Sequence, residues 1–356
     1  MSTAMNNRFS LFALSLLAST ALAGLAMAAE TPPQGIHIPG QTIDTQPDGL
    51  GTIVGNPEPE PSPISFSGNM AIFASRMRYK ESVNNGTFVE HSGELSGGGE
   101  FNWRMAFQNF ELGTDLNLKG GTAKYSSGSG VSPNESTQVI EPRLIFGYRA
   151  GFNDWNDNPV TILPYTGVGY RHYFNDARSP LYSGNRLPNY GGYRRKTEYF
   201  YMPFGVTVGG LLGQLTPSPK ASHTEDTNEF WLNRITWKVN LEYDLLLSAT
   251  NRSYLADIYG CYSGDNCPAG INPGDLTIEN QNDIGSGYGI KSFIEIGYNN
   301  VSIGPYLDYW NINRYPSVSR DFSQYPEIVN QKGESTAFFE PANTTTEFGF
   351  RIRLSF

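Results

Sequence analysis

The carboxyl-terminal segment TTTEFGFRIRLSF, residues 344–356, decides the fold. Apolar side chains occupy every second position of its second half, at Phe348, Phe350, Ile352, Leu354 and Phe356. The positions between them include two arginines, and a glutamate precedes the first phenylalanine. Successive side chains of a β-strand point to opposite faces, so this pattern predicts a strand with one apolar and one charged face. Such a strand is suited to separate lipid from a polar interior.

The same alternation recurs upstream of this segment. Its clearest instance is 235–247, where apolar residues at odd numbers alternate with polar or charged residues at most even numbers. Segments near 110–119 and 290–298 repeat it. Ten strands are predicted in all, at 64–79, 94–106, 110–124, 137–150, 160–174, 196–211, 234–249, 286–298, 301–315 and 345–356.

Composition agrees with β structure and excludes one class of partner. The 356 residues include 39 Gly, 21 Tyr and 21 Phe, and only 17% are charged, which is rich in turns and aromatics rather than helix formers. The formal net charge of -9 argues against nucleic-acid binding, because phosphates require a concentrated basic surface.

The amino terminus predicts export. Arg8 precedes an apolar run from Leu11 to Leu25, and Ala26-Met27-Ala28 supplies the small residues of a cleavage site. Residues 1–28 are therefore assigned to a signal peptide, with an uncleaved membrane anchor as the alternative. Residues 29–63 are rich in Pro and Gly and are interpreted as a periplasmic linker, which leaves 64–356 for the folded domain.

Connection lengths favour a membrane barrel over a soluble β-sandwich, which also alternates. Long connections are predicted near 80–93, 125–136, 175–195, 250–285 and 316–344, on one side, with mostly short turns on the other. This arrangement is typical of an all-β, up-and-down antiparallel barrel of about ten strands, with eight or twelve as alternatives. The connection at 212–233 is too long for a tight periplasmic turn.

The terminal segment resembles the carboxyl-terminal signature of Gram-negative outer-membrane barrels, in which alternating apolar residues end on an aromatic. The resemblance implies that Phe348, Phe350, Ile352, Leu354 and Phe356 form an insertion signal read by the barrel assembly machinery, after delivery by periplasmic chaperones. It implies contact with outer-membrane lipid and lipopolysaccharide, and it leaves the oligomeric state open.

If the apolar face meets lipid, the charges on the opposite face line the interior. These candidates are Glu100, Arg104, Glu111, Asp115, Glu141, Arg143, Lys238, Glu242, Asp244, Lys291, Glu295, Asp308, Glu347, Arg351 and Arg353. Lys119, Arg149 and Arg171 belong to the same set. The two signs nearly balance, which favours a structural ion-pair network, and a narrow selective pore is the alternative.

No cofactor or metal site is expected from the sequence. Cys261 and Cys267 are close together in an exported chain and are predicted to form a local disulfide.

The sequence therefore predicts a non-catalytic barrel, either structural or a narrow porin-like channel. The alternatives are a surface adhesin acting through loops 175–195 and 250–285, or an outer-membrane protease or lipase. The strand number is similar to that of the omptin proteases, but neither His91 nor His172 stands in an Asp-x-His pair. His172 with Asp176 is the best local acid–base candidate. His91 and Ser92 are adjacent in sequence, so their side chains would point to opposite faces of a strand.

Overall fold

The computed structural model describes residues 64–83, 86–127, 134–154, 158–177, 193–214, 234–259, 272–321, 323 and 337–356. The predicted signal peptide and linker lie outside the described residues, as do Cys261, Cys267 and 215–233. Ten long strands carry the fold, namely β1 (Ser65–Val83), β2 (Gly86–Phe107), β3 (Phe110–Ser127), β4 (Asn134–Tyr148), β6 (Pro159–Asp176), β7 (Arg194–Gln214), β8 (Arg234–Tyr254), β10 (Gly287–Tyr298), β11 (Val301–Ile312) and β14 (Ala342–Ser355). Shorter strands are β5 (Ala150–Asn153), β9 (Thr277–Asn282), β12 (Val318–Ser319) and β13 (Ala337–Phe338).

The ten long strands pair antiparallel with their neighbours and close on themselves, which confirms the predicted barrel. The last strand completes it, since β14 pairs with β11 on one side and with β1 on the other. Following direct partners once around the barrel from Phe66 leads back to β1 at Arg78, twelve residues further along. This stagger tilts the strands by roughly 40° from the barrel axis.

The outer face of the barrel carries an apolar band, as expected of a lipid-facing surface, which in outer-membrane barrels is about 25 Å tall. Large exposed hydrophobic side chains populate it on every long strand, among them Ile72, Phe101, Leu241, Ile294 and Phe350. In a water-soluble protein such a surface would be a strong liability, so lipid is the solvent that it fits.

Aromatic side chains mark both edges of this band. The edge at the short turns carries Phe66 stacked on Trp103, Phe110 against Phe146 and Tyr148, and the exposed Tyr298 and Phe356. The opposite edge carries the neighbouring rings of Tyr243, Tyr288 and Tyr309. Aromatic girdles at both interfaces are characteristic of outer-membrane barrels.

Two hairpin connections at one end of the barrel are two-residue turns, between β2 and β3 and between β10 and β11. Gln108 and Asn299 each begin such a turn with φ of 52° and 55°, the left-handed backbone that tight hairpins require. The carboxyl terminus is fixed at the same end, because the backbone N–H and carbonyl of Phe356 both bond to Gly68 at 2.9 Å. The predicted short turns at these two places agree with the structure.

Several strands extend further than the sequence indicates at the opposite end. The long connection predicted at 80–93 is wrong, since β1 runs to Val83 and β2 starts at Gly86. Within the predicted loop 250–285, β8 continues to Tyr254, a 3-10 helix spans Leu255–Tyr259, and β9 pairs back onto β8. Among the described residues, no helix has the length and apolar character needed to cross a bilayer.

Candidate functional site: the barrel interior

The interior contains a cavity of about 760 Å³ at the end of the barrel where the short turns lie. Ser67, Pro159, Asn299 and Ser355, which border those turns, line its mouth, while charged side chains line its wall. In outer-membrane barrels the short turns face the periplasm, so this cavity opens on the periplasmic side.

Two arginines and two glutamates form one cluster in the cavity wall. Arg351 donates from Nη1 to Glu100 at 3.1 Å and from Nε to Glu295, and Arg353 contacts the same two carboxylates at 3.2 and 3.3 Å. Lys238, which Glu295 faces in the β8–β10 register, also lines the cavity. Glu100 on β2 and Glu295 on β10 thus approach the two arginines of the closing strand β14 from opposite sides.

A second chain of ion pairs follows the neighbouring wall. Arg104 reaches Asp115 at 2.5 Å and Glu111 at 3.2 Å, and the second Asp115 oxygen accepts from Arg143 at 2.9 Å. Arg143 extends the chain to Glu242 at 2.5 Å. Because each acid meets a cation, the buried charges are compensated, which a low-dielectric interior requires.

Above the cavity, ion pairs cross the lumen from one wall to the other. Lys119 on β3 reaches Glu347 at 2.5 Å and Asp308 at 3.2 Å, on β14 and β11. Arg171 on β6 bridges Asp308 at 3.0 Å and Glu141 at 2.9 Å. Asp308 on β11 lies four strands away from both β3 and β6 in the ten-strand ring, and β14 lies three strands away from β3, so these pairs span the lumen at mid-height.

Lys291 connects this central layer to its neighbours. Its ammonium group pairs with Glu141, which also accepts from the Tyr201 hydroxyl, and with Asp244 at 3.0 Å. Its Nζ also lies 4.7 Å from the Tyr201 ring centroid and 5.4 Å from that of Trp310. Cation–π contacts of this kind join the charged layer to the aromatic one above it.

A buried aromatic and aliphatic layer follows. It consists of Tyr199, Tyr201, Leu246, Ala249, Trp310, Ile312 and Tyr315. Trp310 is fully buried and packs against both tyrosines of β7, with ring centroids 5.2 and 5.1 Å apart. Burial raises the pKa of Tyr315, which lies beyond the end of β11, well above its ordinary value, so its hydroxyl stays neutral. This layer places buried aromatic and aliphatic side chains in the lumen above the central ion pairs.

A third polar layer, which the sequence pattern does not predict, lies nearest the long loops. Arg195 pairs with Glu81 at 2.5 Å and with Glu340 at 3.4 Å, and Asn251 donates to Glu340 at 3.0 Å. The residues responsible were assigned to loops, or, for Arg195, to a surface-binding loop. Glu81, Asn251 and Glu340 are buried, and Glu81, Arg195 and Asn251 lie on strands, so the assignment of these residues to loops or to a binding surface is wrong for them.

The structure places all fifteen interior candidates on inward-facing strand positions, and brings most of them into the ion pairs described above. Within the described residues, no group of three or more His, Cys, Asp or Glu side chains is arranged to hold a metal ion. The His172–Asp176 pairing is not formed as a catalytic couple, because the His172 ring faces outward with its Nδ1 3.9 Å from Glu198. The side chains of His91 and Ser92 lie outside the described residues.

No family model matches the chain, and no curated protein matches its sequence. Among solved structures, the fold is similar to the outer-membrane protease OmpT from Escherichia coli, at 8% identity over 82% of this chain and 96% of that chain, with a TM-score of 0.40. It is also similar to a major outer membrane protein from Thermus thermophilus, at 12% identity over 81% and 99% and a TM-score of 0.27. A Pseudomonas aeruginosa FadL homologue aligns at 8% identity over 82% and 90%, with a TM-score of 0.24. Similarity at this level carries no argument about activity.

The barrel's own geometry defines the class. A closed antiparallel barrel with an apolar outer band, two aromatic girdles and a charged interior is a Gram-negative outer-membrane β-barrel protein.

Proposed function

We propose that this protein is a non-catalytic, structural outer-membrane barrel with a closed lumen. The observation that supports the proposal is the set of ion pairs that cross the lumen at Lys119, Arg171 and Lys291. Separating one partner of a buried ion pair from the other carries a large free-energy cost. The layer is therefore a fixed plug rather than a mobile lining.

The aromatic layer supports the same proposal. Trp310 and Tyr201 are fully buried directly above the plug, where a conducting barrel would hold water. A solute entering from the periplasm would meet the cavity, then the central ion pairs, and then this apolar layer. Ten-strand barrels have interiors that side chains can nearly fill.

A narrow porin-like channel is the second candidate. The periplasmic cavity favours a channel, since it has a volume of about 760 Å³, charged walls and an opening at one end of the barrel. Such a channel would need the central ion pairs to separate. Surface binding through 175–195 and 250–285 stays a prediction, because 178–192 and 260–271 lie outside the described residues.

Planar-bilayer recording on the purified, folded protein tests the proposal. We expect no stepwise current from the wild-type protein. The matched comparison is the double variant Arg171→Ser/Trp310→Ser, which removes one central cation and also the ring whose centroid lies 5.6 Å from its guanidinium carbon. We expect small current steps from this variant, since it opens the plug and the aromatic layer together.

Folding of both proteins is checked by the anomalous migration of unheated barrel on a gel. Reproducible current steps from the wild-type protein, of the size given by the opened variant, would overturn the closed-lumen proposal in favour of the channel.

A further inference from the structure

One cation in the wall of the periplasmic cavity takes no part in the ion-pair networks. Lys238 on β8 lines the cavity and is half-buried. Its direct partner on β10 is Glu295. That carboxylate is occupied by three other groups, namely Arg351 Nε, Arg353 Nε at 3.3 Å and the Ser302 hydroxyl at 3.3 Å. Among the described residues, no carboxylate forms an ion pair with the Lys238 ammonium group.

The strand on the other side of Lys238 does not supply a partner for it. The direct neighbour of Lys238 on β7 is Gly209, which has no side chain. Thr236 and Asn240, two positions away on the same face of β8, are neutral and line the cavity as well. The ammonium group therefore lies beside hydroxyl and amide groups without a counterion, although charges inside proteins are normally paired.

A second donor in the same wall lacks an acceptor. The Arg351 side chain is 9% exposed, and its Nη1 and Nε bind Glu100 and Glu295. Its Nη2 is buried and has no hydrogen-bond acceptor among the described residues. The guanidinium carbon lies 3.9 Å from the Phe293 ring centroid, which holds the group in place. Buried donors without a partner are rare in native proteins, because the hydrogen bonds lost to water are not replaced.

We propose that Lys238 and Arg351 bind the carboxylate of a small organic molecule that enters the cavity from the periplasm. Both donors lie beside Glu295 in one wall, and an anion is the acceptor that both lack. A carboxylate has two oxygens, so it can accept charge-assisted hydrogen bonds from an ammonium and a guanidinium group together. A more highly charged anion is disfavoured, because Glu100 and Glu295 belong to the same wall.

The size of the cavity suits such a ligand. Its volume of about 760 Å³ lies within the range of roughly 300–1,000 Å³ that is typical of small-molecule sites. The remainder of the molecule would lie in the cavity below the central ion pairs. Binding at this level does not require the lumen to conduct, so the carboxylate site and the closed lumen are tested separately.

Ligand-detected NMR titration of the purified, folded protein in an uncharged detergent tests the carboxylate site. Benzoate is the carboxylate probe, and benzamide is its neutral match in shape. The wild-type protein is expected to bind benzoate about tenfold or more tightly than benzamide, since only benzoate can pair with the two cations. Empty detergent micelles give the background for both probes. Equal binding of the two probes by the wild type would overturn the proposal.

Variants of Lys238 separate its charge from its packing. Lys238→Met keeps an unbranched stem without the charge and is expected to weaken benzoate binding by about tenfold, with benzamide binding unchanged. Lys238→Arg keeps the charge and is expected to bind benzoate nearly as the wild type does. Arg149→Gln is the matched control, because Arg149 lines the same cavity but already pairs with Glu111. Wild-type benzoate affinity in a folded Lys238→Met protein would contradict the proposal.

Two further measurements test the missing partner and the ligand class. Urea unfolding of Lys238→Met is expected to show a midpoint no lower than that of the wild type, because no carboxylate loses its cation. A midpoint lowered as by the loss of a paired cation would show that Lys238 has a partner within the protein, which would overturn the proposal. Acetate is expected to displace benzoate at a lower concentration than inorganic phosphate does, and the reverse order would overturn the carboxylate assignment.

Discussion

At the scale of single residues, Arg171 shows how the interior tolerates charge. Its side chain is 2% exposed, and one guanidinium nitrogen lies within 3.0 Å of both Glu141 and Asp308. The same guanidinium stacks over Trp310. Removing the cation would leave two buried carboxylates without one of their partners. The free-energy cost of that loss is larger than the net free energy that the ion pair contributes to folding.

We expect Arg171→Met to lower the free energy of unfolding by about 3–5 kcal/mol, the cost typical of breaking one side of a buried ion pair. Arg149→Met is the matched control, because the Arg149 side chain is 50% exposed and its pair with Glu111 should contribute no more than about 1 kcal/mol. Urea titration of the folded barrel, followed by tryptophan fluorescence, measures both. Equal losses from the two variants would contradict the assigned role of the central layer.

Alternation in the sequence predicted which charges face the interior, but it could not predict their partners. Lys119 meets Glu347 across 228 positions of the chain, a contact set by strand order and stagger rather than by any local pattern. Arg195, Glu81 and Glu340 escaped the prediction for another reason. Glu81 and Arg195 lie near strand ends and Glu340 lies between β13 and β14, all beyond the lipid band, where neither face is apolar and the alternation that marks a membrane strand disappears.

At the scale of elements, the same effect explains the strand ends. The middle of every long strand was predicted because one face meets lipid. Beyond Ala74, β1 carries cations outward and Glu81 inward, so nothing in the sequence separates the continuing strand from a polar loop. The predicted loop at 80–93 was wrong for this physical reason.

The pairing of β10 with β11 contains a close approach that requires glycine. A Cβ atom at Gly304 would lie 1.8 Å from the carbonyl oxygen of Ile294, and the next residue, Pro305, has no backbone N–H to donate. The direct register of the two strands is interrupted at this point, between Phe293–Tyr306 and Ile296–Ile303.

We expect Gly304→Ala to force these strands apart, reduce the folded fraction on an unheated gel and destabilise the barrel by about 1–3 kcal/mol, as overpacking does. Gly120→Ala is the control, since its Cβ would lie 3.6 Å from the Thr137 carbonyl oxygen, an ordinary contact distance. If the two alanine variants fold and unfold alike, the close approach has no energetic consequence and the interpretation fails.

At the scale of the whole molecule, the barrel has to match the thickness of the membrane. From Phe356 to Thr346, ten residues of β14 rise by roughly 26 Å at a tilt of about 40°, which agrees with the height expected of a lipid-facing band. Ile303 on β11 pairs with Ile352 and Ile296 and lies inside this band, whereas Asn311 on the same strand lies beyond Tyr309 and the upper girdle.

This placement predicts a cost that depends on depth. Ile303→Arg should lower the free energy of unfolding in phospholipid vesicles by about 2 kcal/mol, and Asn311→Arg by about 1 kcal/mol or less, because a charge inside the apolar band is desolvated and one at the interface is not. Both side chains point outward from one strand, so the comparison isolates depth from the identity of the strand. In detergent, which adapts to the protein's surface, the difference should shrink. An equal cost for the two arginines in vesicles would mean that the apolar band does not coincide with the bilayer core.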